Sequence, residues 1–158
     1  MRKRIFFVLF AFVALMSFSL SADAQSRKSV SASEVNGTFR MNFKGRFRDQ
    51  ANEIKILALG GGKIRVAMDL LYPYTLSDGA RTAHLGALDG EAAISGDVAT
   101  YESNEFGNCK ITIKFVKAGT IKVTQDGSDA ECGFGHNVTA NGTYRKVSGK
   151  KPEFEGAQ

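Results

Sequence analysis

The sequence is poor in the residues that most familiar catalytic and metal sites require. It holds two cysteines, two histidines and two prolines in 158 residues. Two cysteines without a close histidine pair cannot complete the four-ligand set of a structural zinc site. The histidines, His84 and His136, stand alone. There is no H-E-x-x-H motif and no G-x-S-x-G turn. Gly60-Gly61-Gly62-Lys63 lacks the G-K-[ST] ending of a phosphate loop and reads as a hairpin turn. Beyond the first 24 residues no stretch keeps helical apolar spacing over three turns. These absences argue against the common hydrolases, metalloenzymes and helical bundles. No catalytic residue, cofactor or metal site is assigned.

The first residues are of a different kind. Arg2, Lys3 and Arg4 precede an almost unbroken apolar run from Ile5 to Leu20, and Ala22-Asp23-Ala24 follows. A charged start, a short apolar stretch and an A-x-A ending define a secretory signal peptide, here residues 1–24. The run is shorter than the roughly 20 residues needed to span a bilayer. No membrane span is expected after cleavage, and the expected location is periplasmic or secreted. No cysteine follows Ala24, so a lipid anchor is not indicated. The leader carries three of the 21 basic residues and one of the 16 acidic ones, leaving 18 against 15. The remaining Lys and Arg are scattered, without the clustered patch of a nucleic-acid binder.

What the rest of the chain does have is alternation and glycine. Cys109, Ile111, Ile113 and Phe115 alternate with Lys110, Thr112 and Lys114, the mark of a half-buried strand. A three-residue loop, 117–119, would place Phe115 opposite Ile121 and Ile113 opposite Val123. Ile54, Ile56 and Ala58, turned at Gly60–Gly62, would meet Ile64, Val66, Met68 and Leu70, with Ile56 opposite Val66 and Ile54 opposite Met68. A third hairpin joins 91–95 to 98–102 through Gly96-Asp97, and 81–88 forms a weaker separate strand. Asn36-Gly-Thr-Phe-Arg is echoed by Asn141-Gly-Thr-Tyr-Arg. Phe39, Met41 and Phe43 should point inward from the first strand, and Val138, Ala140 and Tyr144 from the last. If those two strands pair, no edge is left open. The expected fold is all-β, an antiparallel up-and-down β-barrel of about eight strands, with a β-sandwich as the alternative. Its expected bounds are 35–147, between a disordered lead-in (25–34) and a disordered tail (148–158).

In an oxidising compartment Cys109 and Cys132 should pair. That bridge would pin the segment from Asp126 to His136, which is rich in glycine and acids. Candidate binding residues there are Asp126, Asp129, Glu131, Phe134 and His136. The acids could offer oxygens to a cation, but their spacing does not match the helix-loop-helix calcium pattern. Tyr72 and Tyr74 complete the set, in Tyr72-Pro73-Tyr74, read as a connection after a strand. Tyrosines in such places suit protein or sugar contact. The sequons at Asn36, Asn137 and Asn141 follow a bacterial-type leader and are expected to stay unmodified.

The words Cys109-Lys-Ile-Thr-Ile-Lys-Phe, Lys122-Val-Thr-Gln, Cys132-Gly-Phe-Gly-His-Asn-Val and Gly142-Thr-Tyr resemble the C-terminal part of small secreted bacterial β domains of unknown function. This covers about a quarter of the chain and implies no activity. More distantly, the plan is similar to that of periplasmic lysozyme inhibitors, which insert a Ser-Gly-x-x-Tyr loop into the lysozyme cleft. Here Ser95-Gly96 is followed by Tyr101, two residues too late, so no inhibitory residue is carried over. The expected function is non-enzymatic: an exported binding protein contacting an envelope protein or glycan through barrel-end loops, with a lysozyme-inhibitor-like role within that class. A small-ligand carrier is the alternative, and a hydrolase is a third, less favoured reading. No oligomeric state follows from the sequence.

Overall fold

The computed structural model describes residues 29–154; the expected signal peptide (1–24), residues 25–28 and residues 155–158 lie outside them. Eight strands follow in order: β1 (Gly37–Asn42), β2 (Ala51–Gly60), β3 (Lys63–Thr75), β4 (Arg81–Ser95), β5 (Val98–Ser103), β6 (Cys109–Lys117), β7 (Thr120–Asp126) and β8 (Gly142–Ser148). Each pairs antiparallel with the next, and β1 pairs with β8, so the sheet closes into a barrel.

Period-two patterning fixes the registers. Ile56 faces Val66 and Ile54 faces Met68. Phe115 faces Ile121 and Ile113 faces Val123. Slipping any of these by one residue would send the apolar set to the solvent face. The inward set, including Phe39, Ile54, Ile56, Ile64, Val66, Ile111, Ile113, Ile121 and Tyr144, is wholly buried. Each such large apolar side chain contributes roughly 1.5–3 kcal/mol on burial. The interior is therefore a packed core.

The two echoed asparagines do the same work. Asn36 Oδ1 accepts from the Ala58 N–H at 2.6 Å, and Asn141 Oδ1 accepts from the Gln125 N–H at 2.7 Å. Each stands just before a strand and satisfies a backbone donor on the neighbouring one.

Several sequence expectations are corrected. The expected separate strand 81–88 and the arm 91–95 form one strand, β4, because β3 runs long enough to pair with it from Lys63–Ala93 to Thr75–Arg81. Tyr72-Pro73-Tyr74 lies within β3 and not in a connection. Proline is tolerated there because the last pair of β3 with β2 is Asp69–Glu53. Beyond it the ladder with β2 has stopped, and the Leu71 N–H reaches only a side chain, Asn52 Oδ1, at 2.9 Å, so the missing Pro73 N–H removes no ladder bond. The expected three-residue loops tighten to the pairs Gly61-Gly62 and Ala118-Gly119, closed by Gly60–Lys63 and Lys117–Thr120, with a register shift beside each. Phe43 follows the end of β1 and is half-buried. Val138 and Ala140 are buried, but in the connection before β8. Within the expected lead-in, Ser31 caps one helical turn, α1 (Ala32–Val35), through a capping box with Glu34, and Val35 is buried. In the expected tail, Pro152 is buried and the Phe154 ring lies 4.4 Å under the Arg65 guanidinium.

Up-and-down order sorts the connections. The two-residue turns 61–62, 96–97 and 118–119 share one end with α1. The longer connections 43–50, 76–80, 104–108 and 127–141 share the other.

Candidate functional site

The loop end is built from segments far apart in sequence. β3 and β4 continue past the barrel as a two-stranded hairpin. On one side, Arg81 pairs with Asp49 at 2.6 Å, and Arg46 donates to Thr75 Oγ1 at 3.2 Å. On the other side lies the connection 127–141. Its Gly135 N–H donates to the Leu85 carbonyl at 2.9 Å, a close approach that a Cβ on Gly135 would prevent by standing 2.6 Å from that oxygen. Phe134 and Val138 pack over Gly86, where any Cβ would come within 2.9 Å of both side chains.

The disulfide holds this connection to the barrel. Cys109 opens β6 and bonds to Cys132, with 4.8 Å between their Cα atoms. Closing a loop of this length stabilises by about 3 kcal/mol in the chain-entropy account. Both cysteines are consumed, so no free thiol remains.

The acids of the connection are turned onto its own backbone. Asp129 accepts from the Asn137 N–H at 2.6 Å and the Ala130 N–H at 2.8 Å. Those bonds, led by Asn137 and aided by the nearby His136, hold its carboxyl below the ordinary aspartate value. Glu131 accepts from the Ser128 N–H at 2.7 Å and hydroxyl at 2.8 Å, which lowers its pKa as well. Asp126, at the end of β7, stands apart from this arrangement. It lines a groove of about 480 Å³ beside the disulfide with Glu102, Asn108, Lys110 and Glu131. Among the described residues no group of three His, Cys, Asp or Glu side chains converges as a metal site.

What converges is an aromatic face. Tyr72 is paired across the hairpin with His84. The His84 ring stacks against Tyr74 at 4.8 Å between centroids and lies nearly parallel to Tyr72 at 6.4 Å. His136 meets His84 edge-on at 5.8 Å, and its Nδ1 is 3.9 Å from Asp129 Oδ2. Tyr72, Tyr74 and His136 are thus brought together. Phe134 and Asp129 lie behind them as supports, while Asp126 and Glu131 are elsewhere. His84 is the member absent from the candidate set. Its signal was the register: the β3–β4 ladder extended upward from Ile64–Ala92 sets it opposite Tyr72.

Flat rings carrying phenol and imidazole groups at their edges can stack on planar or apolar groups and hydrogen-bond beside them. Comparison with known proteins returned no matching family model, no matching curated protein and no matching solved structure. Among the described residues no helix is long and apolar enough to cross a membrane.

Proposed function

We propose that the chain is an exported, non-enzymatic binding protein of the bacterial envelope, which takes a protein or glycan partner on its loop end. One observation carries the reading: four rings from three segments, Tyr72 and Tyr74 on β3, His84 on β4 and His136 on the disulfide-held connection, form a continuous face with Tyr72 42% exposed. Ordering such rings through a hairpin, a disulfide and a glycine contact sets their positions before a partner arrives, which lowers the entropy lost on binding. The packed interior supports contact through the surface over carriage inside. The secretory leader read in the sequence and the disulfide both fit an oxidising compartment.

The test is capture on immobilised protein from an envelope extract, with purified peptidoglycan and lysozymes as separate arms. The expected result is a saturable partner in one arm, with capture reduced at least tenfold by Tyr72→Ala and by His84→Ala at unchanged thermal stability. Silence in every arm, or capture indifferent to both substitutions, would reject the reading.

A further inference from the structure

We propose that the seam between β4 and β5 is a docking edge for an extended, basic peptide segment of a partner protein. The β4–β5 ladder is short: it runs only from Ser95–Val98 to Ala93–Thr100 and then stops, although both strands continue. In an antiparallel ladder alternate residues direct their backbone N–H and C=O to the same neighbour. Ser95 and Ala93 face β5, so Glu91, Asp89 and Ala87 face the same way. Leu85 does too, and its carbonyl is taken by the Gly135 N–H. Between these two anchored points β4 presents an edge with the repeat that strand addition requires.

The surroundings specify the occupant. A cavity of about 130 Å³ lies in the seam, bordered by Ala87 on β4, Ser103 on β5 and the disulfide. Its charged lining residues are Asp89, Glu105 and Glu131, with no lysine or arginine, in a chain of net charge +5. Arg65 holds Asp89 from the β3 side, at 2.8 and 2.9 Å, and Ser128 holds one Glu131 oxygen. Glu105 stands in the exposed 104–108 connection. Phe106 and Leu85, 65% and 67% exposed, flank the opening and offer apolar contact to alternate side chains of an added strand. Tyr101 closes the seam from within, its ring against Gly90, where a Cβ would stand 2.7 Å away. Tyr101 thus separates this edge from the core. A second copy of the chain would set this acidic rim against itself, so a basic segment is the favoured occupant. The inference does not depend on the aromatic face.

The probe is a labelled hexapeptide of alternating lysine and valine, blocked at both ends. Controls are the same peptide with alternate amides N-methylated and a glutamate–valine version. Binding is read by fluorescence anisotropy at low salt, and backbone pairing by amide hydrogen exchange. The basic peptide should bind at least tenfold tighter than either control and slow exchange at Ala87, Asp89 and Glu91. Ala87→Pro deletes one edge N–H while sparing the β3 ladder, and Glu105→Lys alters only the rim charge. Each should weaken binding at least tenfold, whereas Tyr72→Ala should leave it unchanged. Equal binding of the N-methylated peptide, or full binding by the Glu105→Lys variant, would overturn the proposal. So would self-association of the chain through this edge without peptide binding. Should Ala87→Pro not fold, Glu105→Lys and the exchange pattern decide.

Discussion

The two ends of this barrel are made by different means. At the turn end, each connection is two residues long and carries glycine in the left-handed region: Gly61 and Gly62 at φ 59° and 75°, Gly96 at 64°, Gly119 at 70°. Local backbone chemistry closes it, because glycine adopts these angles without a Cβ penalty. α1 completes that end, with the Lys146 ammonium donating to the Ser33, Glu34 and Asn36 carbonyls at 2.9, 2.7 and 2.9 Å. At the loop end, shape comes from bonds between distant segments: the Cys109–Cys132 bridge, Gly135 on Leu85 and Arg81 on Asp49. Connections held this way can vary while the strands beneath stay fixed, which is where binding surfaces are usually found.

The sharpest way to break the contrast is to cut the bridge. Replacing both cysteines by alanine should cost about 3 kcal/mol in denaturant unfolding. Rapid amide exchange should spread through 127–141 while the turn end stays protected. Equal loss of protection at both ends would mean that the ends are not independent.

Lys146→Met tests the other end and should cost about 2 kcal/mol, since hydrogen bonds from a charged donor are the stronger kind. Exchange should quicken at the Asn36 amide, which closes α1 on the Ala32 carbonyl, and leave His136 unaffected.

Acid separates the ends more finely. Asp129 has its folded-state pKa below its unfolded one, led by the bond from Asn137. Its stabilisation is therefore complete above the unfolded value of about 3.9. It is lost as pH falls through the folded value. The Asn137 amide resonance should shift across that acid range, and in Asp129→Asn the shift should vanish. Base acts on the core. Burial pushes Tyr144 up to about 12, and its hydroxyl donates to the Ala140 carbonyl at 3.0 Å. Here the folded pKa is raised, so the contribution is intact below pH 10 and disappears between there and about 12. A spectroscopic titration should show one tyrosine ionising last.

The smallest effect on stability is expected from Tyr72→Ala, within about 0.5 kcal/mol, as for most surface changes. It should leave the thermal midpoint of both ends unchanged while reducing partner capture. A large stability loss would make Tyr72 a structural residue and weaken the binding proposal.

The hairpin registers were legible because two cues agreed. Ile111, Ile113 and Phe115 alternate, and Gly119 marks the reversal, so Phe115 could meet Ile121 in only one way that buries both. Barrel closure was legible as a conditional, through the resemblance between the segments after Asn36 and Asn141. Of the aromatic face, Tyr72, Tyr74 and His136 were legible as candidates, while His84 and the assembly were not. Pro73 marked a break in the sequence, since its missing N–H matters in most strands. In the fold, β2 has already ended at that height, so nothing is lost. Asp129 and Glu131 read as ligand acids because only tertiary structure shows their oxygens bonded to Asn137, Ala130 and Ser128.

By itself the sequence determined the inward faces of the hairpins around Gly60–Gly62 and Gly119, three reversals and the pairing of its two cysteines, because each depends on near neighbours or on a choice of one. Tertiary structure alone decided that His84 lies against His136 and Tyr74, that β4 parts from β5 above Ala93, and that a terminal phenylalanine lies under Arg65. Those placements depend on how far paired strands outrun one another and where long connections come to rest, and no local pattern records either.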